Sequence, residues 1–244
     1  MKKTDPVIVY WSPYSNPDRV SYVNMLCKPP KRVLTSFAKP LTGESSRTSS
    51  YHGCPALHNL MKNTFMIPAP LSASAKLTGP FSSSFINSDV SIWNQRVGAT
   101  SGIYSIDYDF SWVFFSEEPV TIRITHPYMH NTSFSRSGYL TSGSFEIDKW
   151  FRPINITFNL WDGVDTVSVV EGEPLAYIEL ETEDGRPVML KQFELTSDMY
   201  SYCNQALIMS KNVIPFQTLE ELYDRFIGSN RHKKLSALVK AAVL

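Results

Sequence analysis

The sequence predicts a mainly β protein: an antiparallel β-sandwich or jelly-roll-like body followed by two or three C-terminal helices. Two observations predict this fold. First, the chain between Trp150 and Leu195 divides into short apolar or alternating runs, which are Ile154–Leu160, Thr166–Val170, Leu175–Glu181 and Pro187–Leu195. Turn-forming residues separate these runs, as expected of successive antiparallel strands. Second, apolar residues follow helical spacing after residue 195. We therefore predict a β body over residues 1–195 and a helical segment over residues 196–244.

The N-terminal half supplies the other predicted strands, for a total of about ten in a sandwich of this size. Val7–Trp11 is an apolar run that ends at a dense group of turn residues. Val120–Thr125 alternates apolar and polar residues, which is typical of a strand that packs one face. We also predict strands at Tyr22–Cys27, Asn63–Ile67, Leu71–Leu77, Ser91–Trp93, Tyr104–Tyr108, Phe110–Phe115 and Ser144–Ile147. Residues 116–119 are predicted to form a hairpin turn between two of them.

Helical patterning marks the C-terminal segment. Ser197–Lys211 places Met199 and Cys203 at helical spacing. Thr218 and Glu221 form a capping-box pattern that starts another helix. His232–Leu244 is predicted to be the last, amphipathic helix.

Composition excludes several classes of protein. Lys and Arg together number 23, as do Asp and Glu, so no net charge favours binding to nucleic acid through a broad basic face. No apolar run approaches the ~20 residues that a membrane-spanning helix needs, and we expect no contact with a membrane. The three cysteines lie far apart, which argues against a disulfide framework. The expected location is a cytosol or a particle assembled in one.

Four histidines and a cysteine are weak candidates for a metal site. His52, Cys54 and His58 lie within seven residues, and His126 and His130 form a second cluster. Imidazole and thiolate both suit zinc or iron, but nothing in the spacing requires the two clusters to meet, and we predict no metal or other cofactor. Cys54 activated by a neighbouring histidine is an alternative nucleophile, although a buried cysteine at a bend explains it more simply.

Paired carboxylates give no clear acid–base site. Glu179, Glu181 and Glu183 follow one predicted strand at a spacing of two, so they share a face. A solvated sheet face explains this arrangement, because glycosidase chemistry needs a partner acid on a second strand. Asp107 and Asp109 are likewise predicted to be exposed.

Aromatic residues make up 13% of the chain and supply the candidate interaction residues. Trp112 and Phe114 lie in a run with rings on both faces, and Trp150, Phe151 and Arg152 are consecutive. Core packing explains most of the aromatic residues, and a ligand groove or a subunit contact is the alternative for some of them. Because Trp, Tyr and Arg dominate protein contact sites, we predict that these five residues contact a partner. We also predict that the Arg152 guanidinium pairs with a carboxylate or stacks on a ring.

Three local patterns carry a resemblance: Cys54-Pro55-Ala56 followed by Lys62-Asn63-Thr64-Phe65, Phe145-Glu-Ile-Asp-Lys-Trp-Phe-Arg-Pro153, and Glu171-Gly-Glu-Pro-Leu-Ala-Tyr-Ile178. Together they resemble a group of uncharacterised proteins of similar length from tailed bacteriophages, particularly T4-like phages of marine cyanobacteria. The resemblance implies a viral origin and no assigned chemistry. It makes Asn63, Trp150, Arg152 and Pro153 signature positions. Residues 172–178 also look like the strand entry of jelly-roll and β-clip proteins, which supports a sandwich.

The resulting functional hypothesis is a phage structural or protein-interaction protein without catalytic activity, in the virion or the host cytoplasm. Its expected partners are other phage or host proteins, or a second copy of the chain. Two alternatives remain. One is a small-molecule-binding module or metal-dependent enzyme of jelly-roll type, with its pocket in the mouth of the sandwich. The other is a host-takeover protein that binds a bacterial factor.

Overall fold

The protein is mainly β, with several antiparallel sheets and accompanying helices. A computed structural model describes residues 5–18, 25–36, 54–76, 93–96, 105–211, 218–227 and 231–244. His52 lies outside these ranges, and so do parts of the strands predicted at Tyr22–Cys27, Leu71–Leu77, Ser91–Trp93 and Tyr104–Tyr108. The first of these predictions is wrong for its described residues, because Met25 and Leu26 are helical.

The described strands and helices follow one another along the whole chain. The strands are β1 (Val7–Pro13), β2 (Lys31–Arg32), β3 (Thr64–Pro68), β4 (Ala73–Lys76), β5 (Trp93–Arg96), β6 (Ser105–Ser116), β7 (Val120–Thr125), β8 (Gly138–Leu140), β9 (Gly143–Glu146), β10 (Pro153–Leu160), β11 (Thr166–Val169), β12 (Pro174–Thr182) and β13 (Val188–Gln192). The helices are α1 (Val33–Ser36), α2 (Pro55–Met61), α3 (Ser133–Ser137), α4 (Ser197–Lys211), α5 (Leu219–Ile227) and α6 (Arg231–Ala241).

Two larger sheets and one small sheet organise these strands. The six-stranded sheet has the order β13-β1-β6-β10-β8, and β5 also pairs with β6. The five-stranded sheet has the order β2-β3-β12-β7-β9. Strands β4 and β11 form a separate two-stranded sheet.

One pairing departs from the antiparallel arrangement that the sequence predicts. Strands β1 and β13 run parallel, with a register from Val7 opposite Val188 to Trp11 opposite Gln192. Parallel neighbours require a long connection, and here most of the chain lies between the two strands. An apolar run predicts that a strand forms, but it holds no information about the direction of its neighbour.

The predicted hairpin at residues 116–119 is wrong, because this turn joins the two large sheets. It leads from β6 in the six-stranded sheet to β7 in the five-stranded sheet. Similarly, the four runs after Trp150 form β10 to β13, but these strands do not pair with one another. Turn residues predict where the chain reverses, and the inter-sheet core decides which strand it then joins. The runs predicted at Tyr104–Tyr108 and Phe110–Phe115 merge into the single long strand β6.

The inner faces of both large sheets contribute to one hydrophobic core. Trp112 of β6 and Phe158 of β10 lie in the same buried cluster as Ile122 of β7 and Ile178 of β12. Because side chains alternate along a strand, each sheet also has an outer face. The outer face of the five-stranded sheet carries a separate, small cluster that includes Met66 and Tyr177, together with Val33 of α1 and Met61 of α2.

A second cluster lies between the six-stranded sheet and helices α4 to α6. Tyr10 and Phe115 project from the outer face of the sheet and pack with Met199, Phe226 and Leu235. Capping at the start of α5 follows the sequence pattern: the Thr218 amide donates to Glu221 Oε2 at 3.1 Å, and the Glu221 amide donates to Thr218 Oγ1 at 3.3 Å. A Tyr14 hydroxyl bond to Asn204 Oδ1 at 2.6 Å also joins α4 to the segment after β1.

Candidate functional site

An open cleft of about 400 Å³ lies on the outer face of the five-stranded sheet. It forms where α2 ends and β3 begins, beside the polar faces of β7 and β12. Its lining residues are Asn59, Leu60, Lys62, Asn63, Thr64, Arg123, Glu179, Leu180, Glu181, Thr182 and Gly185. Most of these residues have polar or charged side chains.

An arginine placed between two carboxylates forms the charged centre of the cleft. Arg123 of β7 lies directly opposite Glu179 of β12, and Glu181 follows two residues later on the same face. One guanidinium nitrogen, Nη1, lies 3.5 Å from Glu179 Oε2, and the other, Nη2, lies 3.0 Å from Glu181 Oε1. The strand register itself thus brings the three charges together.

Glu179 is the least exposed of these three residues. Its side chain is 14% exposed, whereas that of Glu181 is 55% exposed. Besides Arg123, it accepts hydrogen bonds from Thr125 Oγ1 at 3.2 Å and from the Tyr128 hydroxyl at 3.4 Å. Burial and the nearby Glu179 carboxylate raise the pKa of Tyr128, which keeps that hydroxyl a donor. The prediction of a solvated face holds for Glu181 and is wrong for Glu179.

Asn63 and Lys62 fix the opposite wall of the cleft. The Asn63 side chain donates to the Arg186 carbonyl and accepts from the Val188 amide, both at 2.9 Å. Lys62 Nζ donates to the carbonyl of Gly185 at 2.7 Å. Gly185 has a φ of +69°, a conformation that glycine adopts at little cost. Asn63 therefore ties the start of β3 to the turn between β12 and β13.

His130 closes the neighbouring hydrophobic cluster on the same sheet face. Its Nδ1 shares a hydrogen bond with the buried Tyr177 hydroxyl, and its Nε2 lies 3.5 Å from Ser36 Oγ. The two rings meet edge to face with centroids 5.7 Å apart. Burial lowers the pKa of His130 and raises the pKa of Tyr177. This pairing therefore places a neutral imidazole over an apolar cluster.

The other metal candidates lie in different settings. His126 Nδ1 accepts the Leu140 amide at 3.3 Å, and burial lowers its pKa. Cys54 is exposed just before α2, so the prediction of a buried cysteine at a bend is wrong. His58 is exposed in the last turn of that helix. Within the described residues, no group of three or more His, Cys, Asp or Glu side chains could hold a metal ion.

Four of the five predicted interaction residues are core residues, so the prediction is wrong for them. Trp112 and Phe151 are 0% exposed, and Phe114 and Trp150 are also buried. Rings occur on both faces of β6 because the second sheet covers the inner face and the helices cover part of the outer face. Buried rings offer no surface to a partner in this conformation.

Arg152 confirms the prediction made for its guanidinium. Its Cζ atom lies 4.8 Å from the Trp150 ring centroid and 5.6 Å from that of Phe145. Its Nε also donates to the Pro153 carbonyl at 3.2 Å. The cation therefore covers the edge of the main core, as expected of a residue flanked by aromatic side chains.

Sequence analysis missed Arg123, Tyr128 and Lys62 as members of one site. The alternation in β7 does place Arg123 opposite the apolar face, and the Glu179 spacing does define a carboxylate row. The missing information was the register that pairs the two strands.

Comparison with known proteins found no matching family model, curated protein or solved structure. Among the helices of the described residues, none is long and apolar enough to cross a membrane.

Proposed function

We propose that this chain is a non-catalytic structural or protein-interaction protein of a tailed bacteriophage, and that the charged cleft binds its partner. The observation that carries the proposal is the set of fixed charges at Arg123, Glu179 and Glu181. Prearranged charges of both signs give specificity and orientation to a protein contact. The sequence resemblance supports the phage origin, and the virion or the host cytoplasm is the proposed location.

The cleft geometry favours recognition over hydrolysis. A glycosidase needs two carboxyl groups with space between them for the sugar and, in inverting enzymes, a water molecule. Here the Arg123 guanidinium lies between Glu179 and Glu181. The lining residues of the cleft also include no histidine or cysteine that could serve as a base or a strong nucleophile.

The proposed architecture of the body is a β-sandwich with jelly-roll-like connections. Two features support it. The inner faces of both large sheets share one core, and the chain alternates between these sheets from β6 through β10. Jelly rolls place successive strands in opposite sheets in this way, and such sandwiches are common in capsid proteins.

Quantitative mass spectrometry of purified, nuclease-treated virions tests the particle assignment. A phage that encodes this chain should contain it at a fixed copy number relative to the major capsid protein. Absence from the particles would refute the virion form and would favour the host-takeover form, in which the chain binds a bacterial factor.

Charge reversal tests the role of the cleft. Arg123→Glu places three acidic side chains together, and we expect it to reduce incorporation into particles by about tenfold, equivalent to ~1.4 kcal/mol. Lys76→Glu is the matched control, because Lys76 also forms a surface ion pair, with Asp165 at 3.6 Å on the two-stranded sheet. Equal incorporation of the folded Arg123 variant and the control would contradict binding through the cleft.

A small-molecule-binding module or metal-dependent enzyme of jelly-roll type is the second candidate. The observation that favours it is the cleft volume of about 400 Å³, which falls within the range of small-ligand sites. The metal form would draw its ligands from the five candidates His52, Cys54, His58, His126 and His130. Elemental analysis after chelator-free purification tests this form, and a metal content near zero would refute it.

A further inference from the structure

The outer face of the six-stranded sheet changes character along β6. At one end Val113 and Phe115 project outward into the cluster beneath the C-terminal helices. At the other end the outward positions are Ser105 and Asp107, which are not members of that cluster. The same face is therefore apolar where helices cover it and polar farther along the strand.

A pair of aromatic rings, one exposed and one half-buried, borders the polar half. Trp161 directly follows β10, and its ring packs against Tyr139 of β8 with centroids 4.9 Å apart and planes inclined by 40°. The Trp161 amide donates to the Ser137 carbonyl at 3.0 Å, which fixes the backbone at this point. The Trp161 side chain nevertheless remains 48% exposed.

A hydrogen-bonded network fixes the polar side chains beside these rings. Asn159 Oδ1 accepts from Ser105 Oγ at 2.6 Å, and Asn159 Nδ2 donates to Thr141 Oγ1 at 2.9 Å. Two residues away on each of the same two strands, Thr157 Oγ1 donates to Asp107 Oδ1 at 2.5 Å. Ser105 and Thr157 are buried, whereas Thr141 is exposed and Asn159 is half-buried. The members of this network that can reach a ligand are therefore the Asn159 amide and the Thr141 hydroxyl, both held in fixed orientations.

Strand register aligns these groups across the sheet. Ser105, Asn159 and Tyr139 lie side by side on three adjacent strands. On β5, Arg96 occupies the position opposite Ser105. Neighbouring strands are ~4.8 Å apart, a spacing comparable to the length of one sugar unit.

We propose that this polar half-face binds a neutral oligosaccharide. Trp161 and Tyr139 provide rings on which the C–H face of a pyranose can pack, since aromatic side chains combine a large apolar area with low conformational entropy. Asn159 and Thr141 offer donors and acceptors that match sugar hydroxyls, which also donate and accept. Both of these side chains are uncharged, which suits an uncharged ligand. Two rings are a small anchor for a protein interface, which typically buries ~800 Å² on each partner.

Calorimetric titration of the purified full-length chain tests the proposal. The probes are cellohexaose, maltohexaose and chitohexaose, and we expect a Kd of about 1 mM or tighter for at least one of them. Iodide quenching gives a second measurement, because Trp161 is exposed whereas Trp11, Trp112 and Trp150 are buried. The Trp161→Ala protein gives the contribution of the fifth tryptophan, Trp93, which is subtracted. Bound saccharide should protect the quenchable fluorescence, and no binding of any probe up to about 10 mM would overturn the proposal.

Matched variants locate the site. Trp161→Ala should weaken binding by about tenfold or more, and Thr141→Val by a few-fold, because each removes a contact without opening the core. Tyr128→Ala is the control, since Tyr128 has the same 48% exposure but lies beside the charged cleft. The assignment would be overturned if the folded Trp161→Ala and Thr141→Val proteins both bound the saccharide with unchanged affinity. It would also be overturned if Tyr128→Ala lost as much affinity as they do. The test uses the isolated chain, so its outcome is independent of particle incorporation.

Discussion

Single side chains that bond to backbone groups hold the cleft wall and the sheet edge in place. Asn63 joins two elements through one donor and one acceptor. A buried polar group that loses its partner costs more than the net value of the bond. The stability lost when such a side chain is removed therefore depends on whether its former backbone partner can form another hydrogen bond.

Asn63→Ala should lower the free energy of unfolding by about 2 kcal/mol, because the Val188 amide loses its acceptor. Urea denaturation measures this change. Asn155→Ala, at an exposed position of β10, is the control and should change stability by less than about 0.5 kcal/mol. Equal effects of the two substitutions would show that Asn63 does not act as a clamp.

Gly138 lies so close to the neighbouring strand that a side chain cannot fit. A Cβ atom there would lie 2.0 Å from the Asn159 carbonyl oxygen, whereas one at Gly143 would meet nothing within 4 Å. Gly138→Ala should therefore separate β8 from β10, lower the free energy of unfolding by ~1–3 kcal/mol, and weaken the proposed saccharide binding. Gly143→Ala is the control for both the denaturation and the titration experiments, and equal behaviour would contradict the steric argument.

The sequence supports some residue-level predictions better than others. Arg152 could be assigned to a stacked environment because its aromatic neighbours are adjacent in the chain. Trp112 and Phe114 could not be assigned to core or surface, because rings on both faces of a strand are equally typical of a strand buried on both sides and of a contact surface. That choice depends on which elements cover the strand.

At the scale of elements, helix α6 is joined to the turn between β6 and β7 by polar contacts. Glu117 of this turn accepts a hydrogen bond from Ser236 and pairs with Lys240 Nζ at 2.8 Å. Although partial burial opposes the shift, the bonds from Lys240 and Ser236 lower the pKa of Glu117. A carboxylate with a lowered folded-state pKa stabilises the fold above its unfolded pKa of ~4.3 and loses that contribution as the pH falls.

Glu117→Gln should therefore destabilise the protein at neutral pH, and the difference from the wild type should shrink as the pH falls below about 4. Urea denaturation of both proteins across this pH range measures the difference. Glu183→Gln, at an exposed position, is the control. If the stability difference instead grew on acidification, Glu117 would not stabilise the fold through its ionised form.

Element positions were more predictable than element partners. Val120–Thr125 matches β7 because its alternation is strict and local. Glycines of positive φ at residues 163, 172 and 185 lie where the sequence predicts turns. However, pairing is decided by contacts between distant segments, so the register that assembles Arg123 with Glu179 could not be predicted from either strand alone.

At the scale of the whole molecule, the cluster containing Phe115 links the β-sheet to the C-terminal helices. Phe115 lies edge to face with Phe151 at 6.1 Å and is stacked with Tyr10 at 6.5 Å. The same cluster contains residues of α4, α5 and α6. The division at residue 195 stays a prediction, and this shared cluster gives a way to test it.

Phe115→Ala should lower the free energy of unfolding by about 3–5 kcal/mol, because it opens a cavity in the shared cluster. Thermal unfolding followed by far- and near-ultraviolet circular dichroism should show coincident transitions, since sheet and helices depend on the same packing. Loss of helical signal well before the loss of tertiary signal would instead show that residues 196–244 unfold independently.

The parallel pairing of β1 with β13 determines when the molecule can be completed during its synthesis. These partners are about 180 residues apart, and a ribosome adds ~5–20 residues per second. The first strand therefore leaves the ribosome on the order of ten seconds before its neighbour exists. During that interval the β1 edge of the growing sheet has unpaired backbone groups, which are open to pairing with another chain.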